Sequence, residues 1–296
     1  MSAHDITFLG HMCFDEITPY GGETKVAPGS AVLCGALAAV RTGKRVAVLA
    51  KMAEADEAIV QPMRDAGIDV RLIPAPVTTW SVVIHPVADV DVRKLILTKS
   101  AGLIRLDEVP PMDTRRLHLA GISDTEFDVE LVAGLAARGH ALSADMQSFV
   151  RQVDPVTREI AFKDVPRKRE IVSLLHMVKL DVVEAEVLTG TADIAEAARI
   201  VEGWGCPETV ITRADGVVAR VGGKTHFEKF SNRNLSGRTG RGDTTFAAYL
   251  ARRLDHGVEE SLKFAAAMVS IKMETPGPFC GTLDDVLERM REAHGC

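Results

Sequence analysis

The fold of this chain is decided by residues 236–250, "SGRTGRGDTTFAAYL". This stretch places Gly237, Gly240 and Gly242 within six positions and continues directly into a helical pattern. Glycine lets backbone N–H groups turn towards a ligand, and the first turn of a helix adds free N–H groups and the positive end of its dipole. The stretch therefore predicts an anion-binding site at a helix start.

The segment after this glycine-rich turn is helical in pattern. Phe246, Leu250 and Leu254 recur every four residues and so share one face, and Gly257 predicts the end of the helix. Asp243 stands at its start, where it is either a helix cap or a general base that takes a proton from a hydroxyl. Phosphoryl transfer to an alcohol requires a base and an anion hole within reach of each other. The stretch lacks the Gly-Lys-Ser/Thr ending of a P-loop.

Outward from this stretch, short β-rich segments alternate with longer helical patterns. Strands are predicted over 6–10, 45–50, 69–73, 115–121, 140–146, 177–183 and 208–213, and helices near 30–42, 54–66, 128–138 and 192–203. This alternation indicates crossover connections between parallel strands. We expect one α/β domain over 1–296, doubly wound, with a mostly parallel central sheet flanked by helices.

One region breaks the alternation. Residues 77–99 contain two β-like segments, "TTWSVVIHP" and "VRKLILTK", which predict an antiparallel hairpin joined through "VADVD". Together with 11–25 this hairpin would form a small β-sheet over the main one, so that the lid spans about 11–25 and 75–100. A lid of this kind excludes water from an enzyme site. An extra edge hairpin with no moving part is the alternative.

Composition and charge exclude several classes of protein. The chain has 296 residues, of which 46% are hydrophobic, enough for a large core. Its 35 Lys and Arg residues form no long basic run and are outnumbered by 41 Asp and Glu residues, so no nucleic-acid partner is expected. No segment approaches about 18 consecutive apolar residues, and the amino terminus does not resemble a signal peptide. We therefore expect no membrane partner and a cytoplasmic location.

The glycine-rich stretch also resembles the second signature of the ribokinase-like (PfkB) carbohydrate kinase family, whose usual form is DTxGAGD before a helix. The resemblance covers the whole chain, because other family elements occur in order. These are "GHMCFDEI" (10–17), "PGSAVLCGAL" (28–37), "KLDVVEAEVLTG" (179–190), "ITRADG" (211–216) and "ETPGPF" (274–279). The resemblance implies a ribokinase-like fold with a small β-sheet lid.

The resemblance also implies an ATP-dependent kinase that uses Mg²⁺ and transfers the γ-phosphoryl group to a hydroxyl of a small-molecule sugar or polyol. It implies site residues at the positions that match the family motifs. These are catalytic Asp243 with an anion hole of Gly240, Arg241 and Gly242; substrate-binding Asp15, Gly29 and Ser30; nucleotide-binding Thr212, Gly216 and Gly277; and Glu184 and Asp181, which organise the metal through water.

Some residues depart from the family pattern. Gly237 replaces the first signature aspartate, and Arg241 replaces an alanine, so that its side chain either adds charge to the hole or points to solvent. Asp181 replaces an asparagine, and this second carboxylate suits a hydrated Mg²⁺ or caps the following helix. "ITRADG" is one residue short and lacks its middle glycine. Cys13 and Cys34 stand where many sugar kinases of the family have asparagine, which argues against ribose as the substrate.

The sequence defines the molecule that accepts the phosphoryl group less closely than it defines the reaction. The lid segment, "GHMCFD" and "SADMQSFVR" (143–151) look somewhat like the inositol kinase branch of the family, in which a cyclic polyol is phosphorylated. Another sugar or sugar acid, a nucleoside, or a catalytically inactive polyol-binding protein are the alternatives. Aromatic residues make up only 5% of the chain, which is few for a nucleoside site. Similar proteins often pair through their lids, which suggests a homodimer.

Overall fold

The computed structural model describes residues 3–88 and 92–295. The strands, in chain order, are β1 (His4–His11), β2 (Cys13–Thr18), β3 (Lys25–Gly29), β4 (Val46–Met52), β5 (Asp69–Pro74), β6 (Thr79–Ile84), β7 (Lys94–Lys99), β8 (Thr114–Leu119), β9 (Leu142–Asp145), β10 (Arg151–Val153), β11 (Ile160–Phe162), β12 (Met177–Asp181), β13 (Glu208–Thr212), β14 (Gly216–Val221) and β15 (Lys224–Lys229). The α-helices are α1 (Ala31–Val40), α2 (Gln61–Asp65), α3 (Val129–Ala137), α4 (Gln147–Val150), α5 (Lys168–Ser173), α6 (Val182–Thr189), α7 (Ile194–Gly203), α8 (Arg241–Arg252), α9 (Val258–Met273) and α10 (Leu283–His294). Two 3₁₀ helices span Glu54–Val60 and Leu106–Glu108.

The main sheet has nine strands in the order β15-β14-β13-β12-β9-β8-β1-β4-β5. Its strands from β13 to β5 run parallel, and at the other edge β14 pairs antiparallel with both β13 and β15. One face is covered by α1, α2, α8, α9 and α10 and the other by α3, α5, α6 and α7, each with its own apolar cluster. This arrangement confirms the predicted α/β class, doubly wound and mostly parallel.

Three of the differences between the predicted and observed element bounds have a local reason. The helix predicted over 54–66 starts as the 3₁₀ helix Glu54–Val60, and α2 begins only at Gln61, so that Pro62 lies in the first turn, where its missing N–H is tolerated. The strand predicted over 177–183 ends at Asp181, because that side chain caps α6. The helix predicted to reach Gly257 ends at Arg252, and Gly257 precedes α9 instead.

A second sheet of four strands has the order β3-β2-β6-β7. The predicted pairing of "TTWSVVIHP" with "VRKLILTK" is present as the antiparallel pair β6–β7, and β2 lies parallel to β6 with Asp15 opposite Ser81. The sheet extends beyond the predicted range 11–25, because β3 runs to Gly29. Of the predicted connection over 87–91, residues 89–91 lie outside the described residues. Within the described ranges, no helix is long and apolar enough to cross a membrane.

Candidate active site

Polar and charged side chains gather where parallel strands of the main sheet end. Asp145, Asp181 and Thr212 are the last residues of β9, β12 and β13, which are neighbours in the sheet. The start of α8 lies against the same edge, because a Cβ atom at position 242 would be 3.8 Å from the Thr212 hydroxyl. In open α/β sheets, ligands bind at the carboxyl ends of the strands.

The start of α8 presents backbone N–H groups at this edge. Gly240 precedes the helix in the left-handed conformation, with φ 80°, and provides no side-chain cap. Among the described residues, the N–H groups of Gly240, Gly242 and Asp243 have no hydrogen-bond acceptor. The N–H of Arg241, which was predicted to line the anion hole, donates instead to the carbonyl of Arg238 at 3.1 Å. We call the amides of Gly240, Gly242 and Asp243 the cradle.

A buried ion pair stands beside the cradle. Lys179 and Asp145 lie opposite each other on β12 and β9, 3% and 2% exposed, with 2.8 Å between ammonium and carboxylate. A Cβ atom at Gly242 would lie 3.1 Å from the Lys179 ammonium. Although burial opposes the charge, Asp145 and Glu184 raise the pKa of Lys179 above its ordinary value. The ammonium therefore stays protonated next to the free amides and adds to the attraction for an anion.

Asp243 occupies the centre of this group of charges. It is the third residue of α8 and partly exposed, and no described residue donates a hydrogen bond to its carboxylate. Its charge acts on Lys179, Lys272, Asp145 and Asp15, which belong to four different elements. The capping interpretation loses its basis, because Gly240 is the residue at the N-cap. The geometry leaves the Asp243 carboxylate available to accept a proton.

Asp15 lies on β2 of the four-stranded sheet, close enough to Asp243 for the charge of that carboxylate to act on it. A Cβ atom at Gly29 would lie 1.9 Å from the Asp15 carboxylate, so glycine is required where β3 passes this side chain. The Cys13 thiol donates to the same carboxylate at 3.6 Å. Burial, opposed by the Cys13 hydrogen bond and reinforced by the negative charge of Asp243, raises the pKa of Asp15 to about 6. The charges of the two carboxylates therefore act on each other.

The hydroxyl of Ser30, predicted to bind substrate, is already engaged. Ser30 is the N-cap of α1, accepts a hydrogen bond from the N–H of Leu33 at 3.0 Å and donates to the Met12 sulfur at 3.6 Å. Its φ of 141° lies in a region that favours glycine, so the backbone at this position has a glycine-like conformation. A turn further along α1, the Cys34 sulfur would be 2.7 Å from a Cβ atom at Gly240. Helix α1 thus reaches the cradle through Cys34.

Asp181 and Glu184 form a capping box at the start of α6. The Asp181 carboxylate accepts from the Glu184 N–H at 2.9 Å, and Glu184 Oε2 accepts from the Asp181 N–H at 2.7 Å. The other oxygen of Glu184, Oε1, is buried with no hydrogen-bond partner among the described residues. Burial raises the pKa of Glu184 to about 8. Capping and metal binding are therefore compatible, because they use different oxygens.

The carboxylates of Asp181 and Glu184 show which kind of Mg²⁺ site the chain could provide. The described part of the chain has no group of three His, Cys, Asp or Glu side chains that could hold a metal ion directly. Two carboxylates one turn apart, one of them with an oxygen that accepts no hydrogen bond from the described residues, fit an ion that keeps several of its waters. A water-mediated Mg²⁺ site fits the residues present, and a fully protein-coordinated site does not.

Two predicted nucleotide residues, Gly216 and Gly277, have no recorded contact with the cradle in the part of the chain that the structure describes. Gly216 begins β14, where a Cβ atom would be 2.5 Å from the Glu228 carbonyl and the Phe227 ring, so it serves the packing of the edge hairpin. Gly277 has φ 90° in a turn with open space around it. Thr212 alone of the three lies beside the cradle, and its hydroxyl donates to the Leu180 carbonyl at 3.4 Å.

Comparison with known proteins gives this geometry a family context. No family model matches the chain. The sulfate complex of a pyrophosphate-dependent kinase in the ribokinase family is 31% identical, covers 96% of this chain and 99% of its own, and superposes with a TM-score of 0.89. A pyrophosphate-dependent kinase in the same family, complexed with a pyrophosphate analogue and myo-inositol, is 30% identical with a TM-score of 0.86 and the same coverage.

The chain belongs to the ribokinase family of kinases. The cytidine kinase of Thermococcus kodakarensis is 26% identical over 256 residues, which are 83% of this chain and 87% of that protein. Sugar kinases of 15–18% identity, some of them bound to ATP or ADP, share the fold alone. The predicted family is therefore confirmed, and the chain is a phosphotransferase by family.

Within the ribokinase family pattern, the glycine at 237 has a steric explanation. A Cβ atom there would lie 1.8 Å from the Thr275 carbonyl oxygen, so the aspartate of the usual signature does not fit. The Gly237 N–H donates to the Met273 carbonyl at 2.7 Å. The Lys272 ammonium, 2% exposed, donates to the carbonyls of Gly237 and Thr239. The end of α9 thus holds the loop that leads into the cradle.

Sequence reasoning missed three charged residues of this ribokinase-family site: Asp145, Lys179 and Lys272. All three lie in apolar segments, "LSADM", "MVKLD" and "AAAMVSIKM". A charged residue within an apolar segment must be paired when buried, because an unpaired buried charge is strongly unfavourable. A charged residue inside an apolar segment is therefore a signal for a buried, paired charge. The sequence does not show which partner each of these residues has.

Proposed function

We propose that this chain transfers a phosphoryl group from a phosphoanhydride donor to a hydroxyl of a cyclic polyol of the myo-inositol class. One observation carries the proposal. The Asp243 carboxylate accepts no hydrogen bond from the described residues, belongs to the first turn of α8 together with the cradle, and is close enough to Lys179 and Asp15 for its charge to act on both. A hydroxyl held by Asp15 is within reach of a base and of an anion hole together.

Each group has a separate task in this proposal. Asp15 accepts hydrogen bonds from acceptor hydroxyls, and Asp243 removes the proton from the reacting hydroxyl. The cradle and Lys179 stabilise the charge on the transferred group. Mg²⁺, held through water by Glu184 and Asp181, would neutralise the donor phosphates.

The polyol assignment rests on the relatives and on the polar character of the acceptor side. The kinase that binds myo-inositol shares 30% identity with nearly the whole chain. A nucleoside is the second candidate, because of the cytidine kinase relative. The rings of Phe14 and Trp80 lie 5.0 Å apart in the lid. Phe14 and Asp15 are consecutive residues of β2, so this aromatic pair lies on the opposite face of the sheet from Asp15 and gives the nucleoside no additional support.

Pyrophosphate is the proposed donor, in place of the ATP implied by the sequence resemblance. Both reported solved relatives of 30–31% identity are pyrophosphate-dependent. The turn after Thr212, where the resemblance places a nucleotide-binding element, also supports pyrophosphate. The Arg213 N–H donates to the Gly216 carbonyl at 2.8 Å, and the Arg213 side chain pairs with Asp215. These contacts make the turn short and closed. ATP is the second candidate, because Thr212 lies beside the cradle.

A panel of donors and acceptors tests the function. Purified protein is incubated with Mg²⁺ and either pyrophosphate or ATP, and with myo-inositol, other polyols, hexoses, ribose or cytidine, and phosphorylated product is measured. We expect the highest turnover with myo-inositol and pyrophosphate. Ligand-induced thermal stabilisation without turnover for any pair would identify an inactive binding protein and contradict the proposal.

Pairing of two copies through the lid stays a prediction, and sedimentation of the same preparation tests it.

The pH dependence of acceptor binding reports on Asp15. Its carboxylate accepts hydrogen bonds most strongly when ionised, and its raised pKa of about 6 moves the weakening of acceptor binding up from about pH 4. We therefore expect KM for the acceptor to rise about tenfold per pH unit below 6 and to stay constant above 7. Initial rates between pH 5 and 8 measure this, with Asp15→Asn as the control, whose KM should be high at every pH. A constant KM in the unmodified protein would exclude this role for Asp15.

A further inference from the structure

Arg151 is a buried cation that none of the functions above uses. It is the first residue of β10 and only 16% of its side chain is exposed. One guanidinium nitrogen, Nη2, lies 3.6 Å from Glu184 Oε1, and the guanidinium lies 5.7 Å from the centre of the Phe162 ring. Arg151 therefore points at Glu184, on the side of the site that is proposed to hold the donor phosphates through Mg²⁺ (the donor side).

Each side chain of this pair has a buried polar atom without a hydrogen-bond partner. The Nε of Arg151 and the Oε1 of Glu184 are both buried without a hydrogen-bond partner among the described residues. A buried polar atom without a partner is destabilising, and such atoms in folded proteins commonly mark a place where a ligand or water binds. The planar guanidinium fork fits two oxygens of a phosphoryl group.

Arg151 also acts on the acceptor side. Burial dominates the raised pKa of Asp15, and the positive charge of Arg151 is among the groups that oppose that shift. The guanidinium thus contacts Glu184 on the donor side and is close enough to influence Asp15 on the acceptor side. In the proposed reaction, the phosphoryl group passes from the donor side, near Glu184, to the acceptor side, near Asp15.

The hairpin β10–β11 holds Arg151 between the main sheet and the lid. On the main-sheet side, the Asp124 N–H donates to the Arg151 carbonyl at 3.0 Å. On the lid side, the Leu97 N–H of β7 donates to the Arg158 carbonyl at 2.9 Å, and Arg158 Nε donates to the Leu97 carbonyl at 3.0 Å. Ile96 and Glu159 form a further antiparallel bridge. The lid therefore contacts the element that carries Arg151.

We propose that Arg151 is a further catalytic residue, whose guanidinium binds oxygens of the phosphoryl group as it passes from donor to acceptor. This proposal rests on the proposed function. In the transfer, the acceptor O–H bond breaks and its proton goes to Asp243, while a new O–P bond forms. The anhydride P–O bond breaks, and its electron pair leaves with the departing phosphate. Arg151 exchanges no atoms or electrons and stabilises only the charge.

The test compares Arg151→Gln and Arg151→Lys with Arg167→Gln. Arg167 is an exposed arginine paired with Glu130 and Glu170, and serves as the matched control. We expect Arg151→Gln to lower kcat by about 10²- to 10³-fold, the effect of losing one donor to a transition-state anion. Arg151→Lys keeps the charge without the fork and should recover part of that loss. Arg167→Gln should leave kcat unchanged.

Binding of inorganic pyrophosphate with Mg²⁺, measured calorimetrically without acceptor, separates this proposal from the proposed function. We expect Kd to rise about 10- to 100-fold in Arg151→Gln and less in Arg151→Lys. If no donor and acceptor pair gives turnover, the proposed function fails. The Kd for pyrophosphate still decides whether Arg151 binds phosphoryl oxygens. An unchanged Kd for Arg151→Gln, or a kcat within threefold of the original in a folded variant, would overturn the assignment.

Discussion

Asp243→Asn is expected to lower kcat by about 10²- to 10⁴-fold while leaving the Kd for pyrophosphate within a few-fold. The amide keeps the size of the carboxylate but cannot accept the hydroxyl proton. The amides of Gly240 and Gly242 and the ammonium of Lys179 remain in place, so the donor still binds. Steady-state kinetics with saturating acceptor, together with calorimetric titration of pyrophosphate, measure both quantities.

An independent result is expected from the same variant. Because the charge of Asp243 raises the pKa of Asp15, its removal should shift the acidic rise in acceptor KM to lower pH. Asp284→Asn serves as the control, because Asp284 is an exposed acid in the first turn of another helix, α10. Full kcat in Asp243→Asn, with the control also unaffected, would show that another group takes the proton.

The fold was predictable from the sequence because its main signals are local. Apolar segments such as 45–50 and 208–213 are short, β-rich and separated by helical patterns, which predicts parallel strands without any knowledge of contacts. The small sheet was predictable from the absence of a helical pattern over 77–99. Where the prediction failed, a single side chain decided the bound, as Asp181 does by ending β12 and capping α6.

The site was predictable only where its residues lie close together in sequence. Residues 237–243 predicted both an anion site and a base, but which amides are free depends on the Arg241 N–H turning to Arg238. The sequence does not pair Lys179 with Asp145, because that pairing arises from the register of β12 on β9. Lys272 reaches Gly237 from 35 residues along the chain, through the docking of α9. Pairs of this kind depend on tertiary structure rather than on local pattern.

Lys179→Met is expected to have the second large effect, and it acts on both activity and stability. Loss of the ammonium beside the cradle should lower kcat/KM for the donor by about 10²- to 10³-fold, as for the loss of one anion-hole donor. It also leaves the Asp145 carboxylate, 2% exposed, without its partner. Removing one partner of a buried ion pair is expected to lower the free energy of unfolding by about 3–5 kcal/mol. Denaturant unfolding and donor kinetics measure the two losses separately.

The double variant Asp145→Asn with Lys179→Met separates the two causes. Without the Asp145 carboxylate, the main charge that Lys179 balances is gone, and Glu184, 3.8 Å from Lys179, still has Arg151 at 3.6 Å. The free energy of unfolding should therefore return to within about 1 kcal/mol of the original. The donor kinetics should stay impaired, because the amides of the cradle still lack the ammonium 3.1 Å from the Cβ position of Gly242. If the double variant regained both stability and kcat/KM, Lys179 would serve only to balance Asp145, and the cradle would bind the phosphoryl group through its amides and α8 alone.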